Sequence, residues 1–155
     1  FSVAWPRVQP NGRGPIVHVG LEFYGRLVDC LVSHGIEPVV TLYHWDLPLA
    51  LQIELGGWQS PRMVQIFADY ARMVFKALGR RGVRRWITFH EPYCMAVHGY
   101  GDGSLAPGVR AEASVRVVCR HLLLAHAAAV RIFRQELRLH ADGGEIGITL
   151  SADLG

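Results

Sequence analysis

The sequence predicts an α/β domain in which parallel strands are joined by helices packed outside them. Three observations carry that expectation. Four short runs rich in β-branched and aromatic residues alternate with longer segments whose apolar residues recur at three- and four-residue steps. The strand-like runs are nearly continuous in apolar residues, the pattern of strands covered on both faces. Between them the chain is long enough for the right-handed helical crossovers that parallel pairing demands.

Phe1 to Trp5 reads as the first strand, and the turn chemistry of Pro10-Asn11-Gly12-Arg13-Gly14 ends regular structure after it. A helix follows, marked by Leu21, Tyr24, Leu27, Val28, Leu31 and Val32 and closed by Gly35. The second strand is Val39-Val40-Thr41-Leu42-Tyr43, which ends at His44-Trp45. Ser60-Pro61 supplies an N-cap and a proline at the first helical position. Met63, Ile66, Phe67, Tyr70, Val74 and Leu78 then mark one helical face up to Gly79. Arg84 to Phe89 is the third strand, and a glycine-rich loop spans Gly99 to Gly108. A long helix runs from about Ala113 to Leu139 with Val117, Leu124, Ala128, Ile132 and Phe133 inward, and Asp142-Gly143-Gly144 turns the chain into a last strand, Ile146 to Leu150. By pattern alone the order β-α-β-α-β-α-β fits an open doubly wound sheet and an arc of a (β/α)8 barrel equally. The glycine-rich phosphate fingerprint of a dinucleotide-binding fold is absent, since Pro6-Arg7-Val8-Gln9-Pro10 follows Trp5.

Composition narrows the function. With 155 residues, half of them hydrophobic, the chain can build a core, and disorder is excluded. No uninterrupted apolar run approaches the roughly 18 residues of a membrane span, so no membrane partner is expected. Cys30, Cys94 and Cys119 are odd in number and widely spaced, which predicts reduced thiols and a cytoplasmic location. The net charge of +3 comes from arginine, because Lys76 is the sole lysine, and Asn11 is likewise the sole asparagine. Such avoidance of adenine-rich codons points to a G+C-rich gene, and the Arg80, Arg81, Arg84 and Arg85 cluster sits where cations favour a helix C-terminus. No nucleic-acid partner is expected from it. His121 and His126 lie five apart on different helix faces and no His-Glu-x-x-His occurs, so neither a metal nor a cofactor is expected. Ser104 and Ser114 lack the setting of a nucleophile elbow.

The third strand ends in Thr88-Phe89-His90-Glu91-Pro92, which leaves a carboxylic acid at a strand's carboxyl tip, where barrel enzymes keep catalytic groups. Several segments then resemble, in order, the motifs of glycoside hydrolase family 1, the β-glucosidase family, and most closely its fungal members. They are Phe1 to Val8, Glu37 to Pro48 with its Tyr43-His44-Trp45-Asp46-Leu47-Pro48, Gly56-Gly57-Trp58, and Trp86 to Pro92. Gly99-Tyr100-Gly101, Ala106-Pro107-Gly108 and His121 to Ala127 continue the series.

The resemblance implies a partial (β/α)8 TIM barrel, with residues 1–155 as a single partial domain covering about four parallel strands, the family's second to fifth. A complete barrel takes about 250 residues. The family's first strand and its nucleophilic Glu are therefore expected outside this chain. The implied activity is retaining hydrolysis of O-glycosidic bonds in β-glucosides or β-galactosides, part of carbohydrate metabolism, with the fragment inactive alone. Glu91 matches the general acid/base, a role that calls for a raised pKa. His44 matches a residue that hydrogen-bonds a sugar hydroxyl, Trp45 an apolar wall for the sugar ring, and Tyr93 the position of a Trp beside the leaving group. His90 stands where the family has Asn, whose amide contacts the sugar's 2-hydroxyl, and Leu154 stands where a Trp is usual. That histidine opens the alternative of a non-catalytic, sugar-binding pseudoenzyme.

Overall fold

The structure is a computed structural model and describes residues 1–152, so Leu154 lies outside the described residues. Three strands, β1 (Val39–Tyr43), β2 (Arg85–His90) and β3 (Glu145–Thr149), form a parallel sheet in chain order. The first predicted strand is reduced to a single parallel bridge, Ser2 to Thr41. Val3 N–H donates to Thr41 O and Thr41 N–H to Phe1 O, each at 2.9 Å, before the chain turns into a short helix, α1 (Trp5–Val8). Pro6 at the start of α1 explains the turn, because it has no N–H to continue a ladder and its φ suits a helix.

Helix α2 (His18–Ser33) ends as predicted at Gly35, whose φ of +70° closes a Schellman motif: Ile36 N–H reaches Leu31 O at 2.9 Å and Gly35 N–H reaches Val32 O at 3.0 Å. After β1 comes a helix that the sequence reading did not identify, α3 (Leu49–Leu55). Its apolar residues Leu49, Leu51, Ile53 and Leu55 alternate like a strand, and Leu51 is the one fully buried, so helical periodicity is not legible there. Helix α4 (Arg62–Gly79) starts where Ser60 Oγ accepts the Arg62 N–H at 3.3 Å. It buries Met63, Phe67, Tyr70, Val74 and Leu78, the expected stripe apart from the partly buried Ile66.

Two short stretches follow β2, α5 (Pro92–Cys94) and a π-helical turn Met95–Gly99. Helix α6 (Glu112–Arg131) then packs on α4 and continues through a π-helical turn to Glu136. Its buried face is Val118, His121, Leu122, Ala125 and Ala129, whereas Val117 and Leu124 are 44% and 45% exposed and do not point inward as predicted. The small side chains of Ala125 and Ala129 allow close approach to α4 and select that face. The stretch Glu112–Glu136 is also long and apolar enough to cross a membrane, a property missed by looking for uninterrupted apolar runs.

Between sheet and helices lies an aromatic layer. Trp5 stacks on Tyr70 with centroids 4.4 Å apart, and Phe67 on Phe89 at 4.3 Å. Trp58 meets Tyr43 edge-on at 5.5 Å and donates its indole N–H to the Tyr43 hydroxyl at 3.1 Å. His121 Nδ1 donates to Trp58 O at 2.8 Å, and the Tyr100 hydroxyl accepts the Trp58 N–H at 3.0 Å, so both main-chain groups of this buried tryptophan are partnered. The arginine cluster is tied to neighbouring elements: Arg81 pairs with Glu22 and Asp29, Arg85 with Glu37, and Arg84 donates to Asp142 O.

Candidate active site at the strand tips

The site begins with an irregularity in β2. Arg85, Trp86 and Ile87 pair in step with Glu145, Ile146 and Gly147, but His90 pairs with Thr149, so β2 carries one extra residue between Ile87 and His90. Both Thr88 and Phe89 consequently turn to the buried side, Thr88 Oγ1 meeting His126 Nδ1 at 2.8 Å and Phe89 packing on Phe67. Such a bulge re-aims the residues beyond it. His90 and Glu91 emerge beside the tip of β1, because Tyr43 pairs with Phe89 in the parallel ladder.

The tips of β1 and β2 bring four of the five predicted site residues together. The rings of His44 and His90 lie 3.9 Å apart at 40°, and Trp45 is 5.5 Å from His44 and 6.1 Å from His90. His90 Nε2 is 3.7 Å from Glu91 Oε1, with both side chains about 30% exposed, at 30% and 29%. His44 and Glu91 stand at the same carboxyl end of adjacent parallel strands, as expected. Tyr93 does not join the cluster. It is 63% exposed and lines a separate groove of about 510 Å³ with Val97, Asp102, Glu112 and Arg116.

Two backbone conformations mark the tips. Trp45 has φ +74° and Glu91 has φ +46°, left-handed values that cost a side-chain-bearing residue about 1–2 kcal/mol each. Surrounding structure must over-determine them, and such strain concentrates at functional sites. Nothing in residue type announces this conformation, so sequence reasoning missed it.

Electrostatics distinguishes the groups. Loss of solvent pushes the His44 pKa below its ordinary value, the nearby His90 pushes the same way, and Glu91 opposes them. A neutral His44 imidazole follows, able to donate from one nitrogen and accept at the other. Asp46, which the sequence reading gave no role, is pushed up to about 6 by burial, against the pull of backbone amides of Asp46, His44 and Trp5. Its Oδ1 is buried without a hydrogen-bond partner. The signal was present, since Asp46 belongs to the His44-Trp45-Asp46 run, but its burial could not be read there. Among the described residues no group of His, Cys, Asp and Glu is arranged to hold a metal. Chemically, the tips offer a carboxyl for proton transfer, two imidazoles for hydroxyl groups and an indole wall.

Comparison with known proteins matches this geometry to a family. The model of glycosyl hydrolase family 1 matches residues 1–154. Beta-glucosidase 26 of Oryza sativa subsp. japonica is 43% identical over 158 residues, covering 97% of this chain and 31% of that protein. The beta-glucosidase of Thermotoga maritima in complex with castanospermine has a TM-score of 0.90 and 44% identity over 97% of this chain and 33% of that one. A double mutant of the beta-glucosidase from Trichoderma harzianum has a TM-score of 0.93 and 42% identity, over 99% of this chain and 33% of that one. The chain thus spans about a third of the length of these relatives, and its parallel strands and outer helices are an arc of a (β/α)8 barrel. With a match that runs from its first residue to its penultimate one, the chain belongs to glycosyl hydrolase family 1.

Proposed function

We propose that the chain forms the acid/base side of a β-glucosidase-like retaining glycoside hydrolase acting on β-glucosides or β-galactosides, and that residues 1–155 supply the second to fifth strands of its barrel. One observation carries the reading: Glu91 leaves the tip of β2 beside His90, which contacts His44 and Trp45 at the tip of β1. Solved relatives bound to castanospermine, noeuromycin and deoxynojirimycin support a sugar-like ligand at such a site. In this mechanism Glu91 protonates the departing glycosidic oxygen and later takes a proton from the attacking water. The partner carboxylate, about 5–5.5 Å away, comes from the part of the barrel outside this chain. His44 holds a sugar hydroxyl and Trp45 faces the ring's C–H surface, while Tyr93, in its separate groove, has no part in this reading. No cofactor enters the reaction, and the fragment alone is inactive because it lacks that partner.

Glu91→Gln in the full-length protein tests the assignment. Removing a general acid costs about 10²–10⁴-fold on substrates whose leaving group needs protonation. Azide should restore turnover of a dinitrophenyl glucoside and yield the glucosyl azide, because it needs no base to attack. Unchanged rates on alkyl glucosides would refute the role. A second reading, a sugar-binding protein without turnover, rests on the His90 ring packed 3.9 Å from His44 where the family carries an amide. Tight binding of deoxynojirimycin with no hydrolysis of any glucoside would favour it.

A further inference from the structure

We infer that Trp45 is a positioning residue for Glu91, acting through the peptide unit between His90 and Glu91. The inference rests on the acid/base reading of Glu91. The Trp45 indole N–H donates to His90 O at 2.7 Å, and the N–H of the same peptide, that of Glu91, donates to Thr149 O at 2.9 Å. One peptide plane is therefore tied to the tip of β1 on one side and to the end of β3 on the other. On the far side of Glu91, its own carbonyl accepts the Met95 N–H at 3.2 Å, and Pro92 begins α5.

These ties explain how Glu91 keeps a φ of +46° that its side chain disfavours. If the bond to Trp45 is lost, the His90 carbonyl can turn and the left-handed Glu91 can relax, which swings the carboxyl. Trp45 is itself held: it packs against the core and borders a cavity of about 100 Å³ with Leu47, Gln52, Met95 and Pro107. The indole thus serves as a strut as well as a surface. That role separates from a sugar wall because it depends on the N–H and not on the ring face.

The experiment replaces Trp45 in the full-length protein with 3-benzothienylalanine, which keeps the shape and removes the N–H, and in parallel with Phe. Rates are compared across aryl and alkyl β-glucosides of graded leaving-group ability. A misplacement of about 1 Å costs on the order of 100-fold, so alkyl and phenyl glucosides should lose about 10–100-fold in kcat/KM. In the benzothienylalanine variant, whose ring face is kept, the dinitrophenyl glucoside, whose departure needs no acid, should lose less than about 3-fold, and deoxynojirimycin affinity should hold within about 3-fold by the same reasoning. The Glu91 amide should also exchange its hydrogen at least about tenfold faster, as a loosened bond requires. In the benzothienylalanine variant, which keeps the ring face, a uniform loss over all leaving groups with weakened inhibitor binding would show that the N–H does not act through Glu91 and overturn the inference. So would unchanged rates together with unchanged exchange. Glu91→Gln run in the same series must itself show the leaving-group dependence. If it does not, the acid/base reading fails, while amide exchange still reports whether Trp45 holds the peptide.

Discussion

The aromatic layer behind the sheet and the polar tips at its carboxyl end meet on the same two strands, through Tyr43 and Phe89, and obey opposite rules. In the layer, Trp5, Tyr43, Trp58, Phe67, Tyr70 and Phe89 are no more than 1% exposed and packed stacked, tilted or edge-on. At the tips, a single residue further along each strand, His44 is exposed, His90 and Glu91 are about a third exposed, and Trp45 and Glu91 hold left-handed backbone. The contrast teaches that the tips do not hold themselves. Their conformations cost free energy, and the rigid packing of Tyr43 and Phe89 directly before them offsets that cost.

The sharpest way to break the comparison is Phe67→Ala. It opens a void against Trp5, Trp58 and Phe89 and should cost about 3–5 kcal/mol in a denaturant titration of the full-length protein. A loss below about 1 kcal/mol would mean that the layer is not what fixes the tips. Next in size is His121→Leu, which leaves the buried Trp58 carbonyl without its donor and should cost about 1–3 kcal/mol by the same measurement.

Asp46, between the two regions, gives a dependence on pH. The unfolded chain releases this proton near 3.8 and the folded chain near 6, so folding takes up a proton in that window. Stability should therefore fall as pH rises from about 4 to about 6, then level off. Asp46→Asn cannot ionise and should melt with about 1–2 kcal/mol more stability than the parent at pH 8, the gain vanishing below pH 4. A gain that persists at pH 3 would point to a cause other than burial of charge. The smallest effect separates function from stability: Glu91→Gly relieves the left-handed strain and should stabilise by about 1 kcal/mol while abolishing the proposed acid/base chemistry. Lower stability in that variant would show that the Glu91 side chain supports the fold.

What the sequence made legible follows from these rules. Val39 to Tyr43 and Arg85 to Phe89 were readable as strands because buried parallel strands are continuous apolar runs, and Gly35 because a Schellman close wants glycine. The grouping of His44, Trp45, His90 and Glu91 was readable because adjacent parallel strands end at one face. The arrest of the first strand after one bridge was not, although Pro6 carried the signal. The inward side of the long helix was legible at Ile132 and Phe133 but not at Val117, since Val117 and Val118 fit helical periodicity equally and only tertiary contact chooses between them. Tyr93 shows the limit at the site: two positions past Glu91 it is carried round by α5 to another groove.

The extra residue in β2 sets a constraint on length rather than on composition. Thr88 and Phe89 share the buried side, so removing one of them restores plain alternation against β3 but breaks the step between β1 and β2 in which Tyr43 pairs with Phe89. Everything beyond the cut would slip back by one residue along β1, which moves Glu91 away from its present place past His44 and Trp45. Substitutions at Thr88 or Phe89 change how well the buried side packs, but a single-codon deletion there changes which residue stands beside His44. Among lineages that retain such a site, gaps should therefore collect in the exposed Asp102–Arg110 loop and be excluded from the three residues before Glu91.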